Sequence, residues 1–174
     1  MDKNLVLQTE RLLLYELTPE AAPFALELLN DPSFIQNIGD RGVRSLDDAA
    51  QYLLRGPIQS QLKNGFSMYR VEIRETGESI GMSGLVKREG LEEVDLGFAF
   101  LPRFWSMGYA LESARAVLGL AKNNLSLEKL VAIISPSNLP SIHLLEKLGF
   151  QYEKDLTLPR ENKPLKLFSL SLVP

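Results

Sequence analysis

Leu101 to Ala121, LPRFWSMGYALESARAVLGLA, is the stretch on which the reading of this 174-residue chain turns. Before it, Val94, Leu96, Phe98 and Phe100 alternate with Asp95, Gly97, Ala99 and Leu101, the period of a β-strand, until Pro102 ends the run. After a short loop with Gly108 and Ala110, an alanine-rich segment reads as a helix. Ala110, Ala114, Val117 and Ala121 fall on one face of it, small enough to lie close against a sheet. A strand, a small-residue turn and a helix start together make an anion site. The first helical turn has free N–H groups and the positive end of the dipole, and glycine lets a phosphate approach that backbone. Glu112, early in the helix, suits the dipole and reads as structural.

Upstream, Leu5 to Leu17 reads as a first strand, and Thr18-Pro19-Glu20 as a helix start with Thr18 at the N-cap. That helix runs through Phe24, Leu26, Leu28 and Leu29 and stops near Asn30-Asp31-Pro32, and 33–44 reads as a loop. Ser45-Leu46-Asp47-Asp48 opens a second helical region, broken or kinked at Gly56-Pro57 and ending near Asn64-Gly65. Three strands follow, Phe66 to Glu75, Ser79 to Val86 and Glu93 to Leu101. Their connections at Thr76-Gly77 and Glu89-Gly90 are too short for crossover helices, so an antiparallel meander is expected. Downstream of the quoted helix come a buried-type strand (Leu127 to Ser135), a helix from Leu139 to Leu148 stopped by Gly149, and a hairpin of Phe150 to Leu156 with Leu165 to Val173. The order βααβββαβαββ is α+β, with one strand–helix–strand unit in its middle and no internal repeat or linker; residues 1–174 read as one domain.

Composition narrows the chemistry. No cysteine rules out a disulfide framework, a thiolate metal site and a cysteinyl intermediate, and a single histidine rules out a His-rich metal site, so no metal is expected. A net charge of −3 argues against nucleic acid as a partner. Met1-Asp2-Lys3-Asn4 is not followed by a long apolar run and no later segment approaches membrane-spanning length, so a cytoplasmic protein is expected.

Four motifs in series resemble one family. Thr9-Glu10-Arg11-Leu12-Leu13-Leu14 matches a TERLxLR pattern with Tyr15 where Arg is usual, and Asp95-Leu96-Gly97-Phe98-Ala99-Phe100 matches an EIGYxL strand. Phe104 to Ser113 (FWSMGYALES) matches a turn like YWGKGYATEA, and Asn138 to Phe150 (NLPSIHLLEKLGF) matches NxxSxxxxEKLGF at every fixed position. The chain resembles the GNAT superfamily of N-acetyltransferases, in its RimJ/RimL-like branch. The resemblance implies a mixed, mostly antiparallel seven-strand sheet flanked by about four helices, split between the fourth and fifth strands. It implies acetyl-CoA as acetyl donor and a primary amine as acceptor, either a protein N-terminal amine or a small molecule. Amides from Trp105 through Ser106, Met107, Gly108 and Tyr109 to Ala110 would hold the pyrophosphate; Ser106 stands for a frequent glycine, Met107 for a frequent basic residue, and Arg103 is the one cation near in sequence. The strand edge at Phe98 and Phe100 would meet the thioester arm, and Asn138 and Ser141 would reach the cofactor from the next helix.

Asp95 and Ser141 are the candidate catalytic residues. An ammonium has no lone pair and must lose a proton before attacking a thioester, and Asp95 sits beside two tiny residues, Gly97 and Ala99, with room for a substrate. Glu93 points the same way and could share the role. Where many superfamily members hold a tyrosine acid, this chain has Leu145; Ser141 matches the donor proposed in the branch, and Asn138 also suits an N-cap. His143 falls on the opposite helix face. Residues 31–65 read as the acceptor wall, with Phe34, Arg41, Arg44 and Tyr52 as contacts, and the two arginines favour an acceptor bearing carboxylate. Monomer and homodimer both remain open. A catalytically silent acyl-CoA-binding sensor is the alternative to an enzyme; a Rossmann domain is disfavoured by the antiparallel run.

Overall fold

Leu5 to Leu17, one strand by pattern, is two in the computed structural model, which describes residues 4–174. β1 (Leu5–Gln8) and β2 (Leu12–Glu16) pair antiparallel across a turn at Thr9, Glu10 and Arg11. No glycine, asparagine or proline marks that turn. The Thr9 side chain closes it instead, its hydroxyl accepting from Leu12 N–H at 3.0 Å while Thr9 N–H donates to Leu12 O at 2.9 Å. The sheet therefore has eight strands rather than the expected seven. Met1-Asp2-Lys3, on which the N-terminal reading partly rests, lie outside the described residues.

Two further prolines do more than the pattern showed. Pro32 is the first residue of α2 (Pro32–Asn37), which follows α1 (Ala22–Leu29); Asp31 caps it, accepting from Ser33 N–H at 2.9 Å. At Pro57 the helix does not break. α3 (Leu46–Leu53) passes through a π turn (Leu54–Ile58) straight into α4 (Gln59–Asn64). A wider turn accommodates the proline, which brings no N–H and whose ring would clash with the carbonyl of an ordinary turn. Ser45 caps α3 as expected, accepting from Asp48 N–H at 3.1 Å, and Asp48 returns a bond by accepting from Arg44 N–H at 2.9 Å.

The meander is present: β3 (Met68–Ile73), β4 (Ser79–Val86) and β5 (Val94–Phe100) pair antiparallel in succession. The quoted helix, α5 (Tyr109–Asn123), carries the chain to β6 (Lys129–Ile134), which lies parallel to β5. After α6 (Leu139–Lys147), β7 (Gln151–Leu156) and β8 (Leu165–Ser171) complete the order β1-β2-β3-β4-β5-β6-β8-β7. β5 and β6 pair only at Val94 with Leu130 and Asp95 with Val131, and beyond these rungs they part, at the expected split between the strands.

Burial follows strand alternation. Leu96 and Phe100 of β5 join a core with Ala114, Val117 and Ala121 of α5 and Leu145 of α6, all buried. Met82 of β4, with Ala99 of β5 packed beside it, joins a second core with Ala25, Leu28 and Leu29 of α1 and Leu53 of α3. The sheet is thus covered on both faces, and the parting of β5 and β6 is a passage between them. No helix among the described residues is long and apolar enough to cross a membrane.

Candidate active site

A cavity of about 610 Å³ occupies that parting. Leu96, Gly97 and Phe98 line it from β5, Ile133 and Ile134 from β6, and Asn138 and Ser141 from the start of α6. The Asp95 side reaches toward Phe34, Met82 and Tyr52, on the face covered by α1 to α4. A molecule entering from either face of the sheet meets one entering from the other where the strands part.

The turn before α5 leads directly out of β5, and none of its residues, nor Phe100 or Ala110, lines the cavity. Ser106 and Gly108 both stand in the left-handed region, at φ 61° and 82°. Such alternation curls successive N–H groups toward one side, a concavity that suits an anion. None of the amides from Ser106 to Leu111 has a main-chain acceptor among the described residues, and Glu112 N–H, bonded to Gly108 O at 3.0 Å, is the first to be satisfied. The turn is exposed from Trp105 to Gly108. Trp105 is anchored by its indole N–H donating to Phe100 O at 2.8 Å, while the Phe100 side chain is buried in the core. Tyr109 and Ala110 begin the helix, half-buried.

What holds this turn in shape is the β1–β2 hairpin. Glu112 accepts from the Thr9 hydroxyl at 2.6 Å, Arg11 N–H at 2.9 Å and Arg11 Nε at 2.6 Å. Partial burial pushes its carboxyl up, but the Thr9 bond and the Arg11 amide and guanidinium together bring it below the ordinary range. Arg11 also donates Nη1–H to Met107 O at 2.9 Å and lies over the Tyr109 ring at 4.5 Å. That carbonyl is drawn to the hairpin side, away from the free amides. Arg103, the expected phosphate cation, is instead paired with Glu27 at 2.8 Å and Glu78 at 3.5 Å.

Asp95 lies at the vertex of the split, 1% exposed. Its Oδ2 accepts from Arg88 Nε at 2.5 Å, and its Oδ1 is buried with no hydrogen-bond partner among the described residues. Burial pushes its carboxyl up to about 6, against the pull of the Arg88 charge and hydrogen bond and, more weakly, of the Ile133 main-chain N–H on β6. A carboxylate so placed is ionised at neutral pH yet close enough in pKa to take a proton. Glu93 precedes β5 and does not line the cavity.

Asn138 caps α6, accepting from Ser141 N–H at 3.4 Å, and still lines the cavity with Ser141. The Ser141 hydroxyl has no protein partner among the described residues. Leu145 is fully buried in the core and stays out of the cavity; His143 is exposed. Of the acceptor-wall residues, Phe34, Arg41 and Tyr52 line the cavity. Arg44 does not: it donates to Asp40 Oδ2 at 2.5 Å, Asn30 Oδ1 at 2.9 Å and Val43 O at 3.1 Å, closing the loop that leads into α3.

Sequence reasoning passed over Arg88 and Arg11. Arg88 carries no local signal, since it pairs with Asp95 only because β4 folds back on β5. Arg11 stood inside a matched motif, and the signal was there: a cation and a threonine flanking a turn, with Glu112 waiting for partners.

The family profile described as Acetyltransferase (GNAT) domain matches residues 11–151. The uncharacterized protein YkkB of Bacillus subtilis is 37% identical over 106 residues, 60% of each chain, so this chain spans less than two thirds of that relative in the match. The uncharacterized N-acetyltransferase YoaA of the same organism is 26% identical over 85% of this chain and 84% of its own. Among solved structures, RimL, a ribosomal alpha-N-protein acetyltransferase in complex with coenzyme A, superposes with a TM-score of 0.83 over 97% of this chain and 98% of its own at 14% identity, a likeness of fold.

Proposed function

The chain belongs to the GNAT acetyltransferase family, and from that premise we propose that it transfers an acetyl group from acetyl-CoA directly to a primary amine, a protein N-terminal α-amine or a small-molecule amine, in the cytoplasm. The observation that carries the proposal is Asp95 Oδ1, a buried carboxylate oxygen without a partner among the described residues, at a cavity where β5 and β6 part; the turn of free amides that follows β5 supports it.

The donor supplies an activated thioester carbonyl and a diphosphate handle. In this reading the amides of Ser106 to Ala110 hold the diphosphate, Trp105 and Tyr109 wall it, and the main chain of β5 near Phe98, unpaired where β6 departs, receives the thioester arm and the developing oxyanion. The acceptor enters along Phe34 and Tyr52. Asp95 takes the ammonium proton, directly or through a water, freeing the lone pair. The new C–N bond forms as the C–S bond breaks, and the nitrogen's surplus proton reaches the departing sulfur by way of the Ser141 hydroxyl, which gives its own proton to the thiolate and takes that one in its place. Arg88 positions Asp95 and keeps it from rising further toward the neutral acid.

Thiol release from acetyl-CoA, followed over a panel of amines and N-terminal peptides, tests the reading. Turnover with at least one acceptor is expected, falling as pH drops through about 6, and Asp95→Asn is expected to lower kcat by about 100-fold or more. Protein that binds CoA yet releases no thiol with any acceptor is a silent acyl-CoA-binding domain, and the enzyme reading fails.

A further inference from the structure

The acceptor side of the cavity carries positive charge that the molecule as a whole does not. The chain is net −3, yet Arg41, Arg55 and Lys63 line this side, and none of the three has an ion-pair or hydrogen-bond partner among the described residues. The remaining lining cations are committed: Arg88 to Asp95 at 2.5 Å, and the Lys87 ammonium to the carbonyls of Glu92 at 2.5 Å and Leu91 at 3.5 Å. Glu161 is the only lining acid other than Asp95. The helix that presents two of the cations owes its geometry to Pro57. Because the π turn widens rather than breaks at Leu54–Ile58, Tyr52, Arg55, Gln59 and Lys63 all line the cavity from one continuous helical run.

We propose that the acceptor is a primary amine that also carries carboxylates, held by Arg41, Arg55 and Lys63 while its amine reaches Asp95. The proposal rests on the acetyl-transfer reading and narrows its substrate class. Carboxylates meet three exposed, unneutralised cations along one side of the cavity, and like-signed charge gathered there steers and selects an acidic acceptor. A polyamine would bring like charge to the same wall and is selected against. Acidic peptide N-termini and free acidic amino acids share this chemistry.

The test uses matched pairs: the tetrapeptide Ser-Glu-Glu-Glu against Ser-Gln-Gln-Gln, glutamate against glutamine, and spermidine. Binding to the CoA-loaded protein is measured by calorimetry, and KM and kcat by thiol release. In at least one pair the acid form is expected to bind about ten-fold more tightly than its amide twin, with the preference shrinking in about 0.5 M salt and spermidine weakest. The peptide pair responding marks a peptide acceptor; the glutamate pair responding alone marks a small one. Arg55→Glu with Lys63→Glu is expected to abolish or invert the preference through KM, and Arg55→Lys to retain it. Should the double variant fail to fold by circular dichroism, Arg41→Gln is expected to reduce the ratio by itself. Equal binding within both pairs, or a ratio indifferent to charge reversal, overturns the proposal. Turnover without preference sinks this inference alone; preference without turnover sinks the transfer reading and leaves the charge selectivity standing.

Discussion

Asp95 is asked for opposite things by stability and by chemistry. Its carboxyl titrates at about 6 in the fold, chiefly through burial, and at about the ordinary 3.8 when the chain is unfolded. Between those values the folded protein holds a proton that the unfolded chain has released, so stability falls as pH rises through that window. At neutral pH the buried charge costs about 3 kcal/mol. Asp95→Asn is therefore expected to melt near wild type at pH 4 and above it at pH 7. Melting curves at the two values check this, and a gap that stays constant would show that the carboxyl is not strained by burial. The ionisation that weakens the fold is the one the proposed reaction needs. For Ser141, whose hydroxyl faces the cavity without a protein partner, Ser141→Ala is expected to lower kcat about ten-fold and leave the CoA dissociation constant within about two-fold. Unchanged turnover would remove it from the mechanism. That both residues belong to one site could be read from their motifs; that Asp95 is buried against Arg88 could not, because the partner lies across a strand pairing.

The element that matters most is the junction of β5 with α5, and it is not self-supporting. Ser106 at φ 61° and Gly108 at φ 82° are held by Arg11 on Met107 O and by Glu112 on Thr9 and Arg11. A side chain at Gly108 would be strained by its φ and would bring a Cβ to 3.2 Å from Arg11 Nη2. Gly108→Val is expected to weaken CoA binding more than ten-fold, and Arg11→Gln to weaken it several-fold, while costing only about 1 kcal/mol of stability because Arg11 is partly exposed. Calorimetric titration with CoA decides, and undiminished affinity in Gly108→Val would place the diphosphate elsewhere. The helix and its small-residue face were legible from Ala110, Ala114, Val117 and Ala121. The clamp was not, since Thr9 and Arg11 lie about a hundred residues away in sequence. The helix that begins at Pro32 and the unbroken run through Pro57 were hidden for a local reason: proline stops a helix from within but starts one at N1, and a π turn can admit it.

Over the whole molecule, two arms of one sheet share a core across the split. Leu96 and Phe100 from one arm and Leu130, Phe150 and Phe168 from the other belong to one buried cluster with Val117 of α5. The arms are joined by only two parallel rungs, so side-chain packing rather than main-chain bonding unites them. One cooperative unit is expected. Phe168→Ala, at a 3% exposed position in the C-terminal arm, should destabilise by about 3–5 kcal/mol. It should also shift the fluorescence of Trp105, which lies on the other arm, and the far-ultraviolet circular dichroism to the same urea midpoint. Two midpoints would mean that the arms unfold separately. By itself the sequence determined the α+β order, the antiparallel meander and the helix that starts after Gly108, and it singled out Asp95 and Ser141, which line one cavity, because alternation, helical period and motif spacing are local and survive in one dimension. Only the tertiary structure decided that β1 and β2 are separate strands, that Arg11 braces the turn, that Arg44 and Arg103 are spent on other partners, and that Arg55 and Lys63 face the cavity. Those are facts of which side chains meet, and charge and hydrogen-bond partners are chosen by proximity in space.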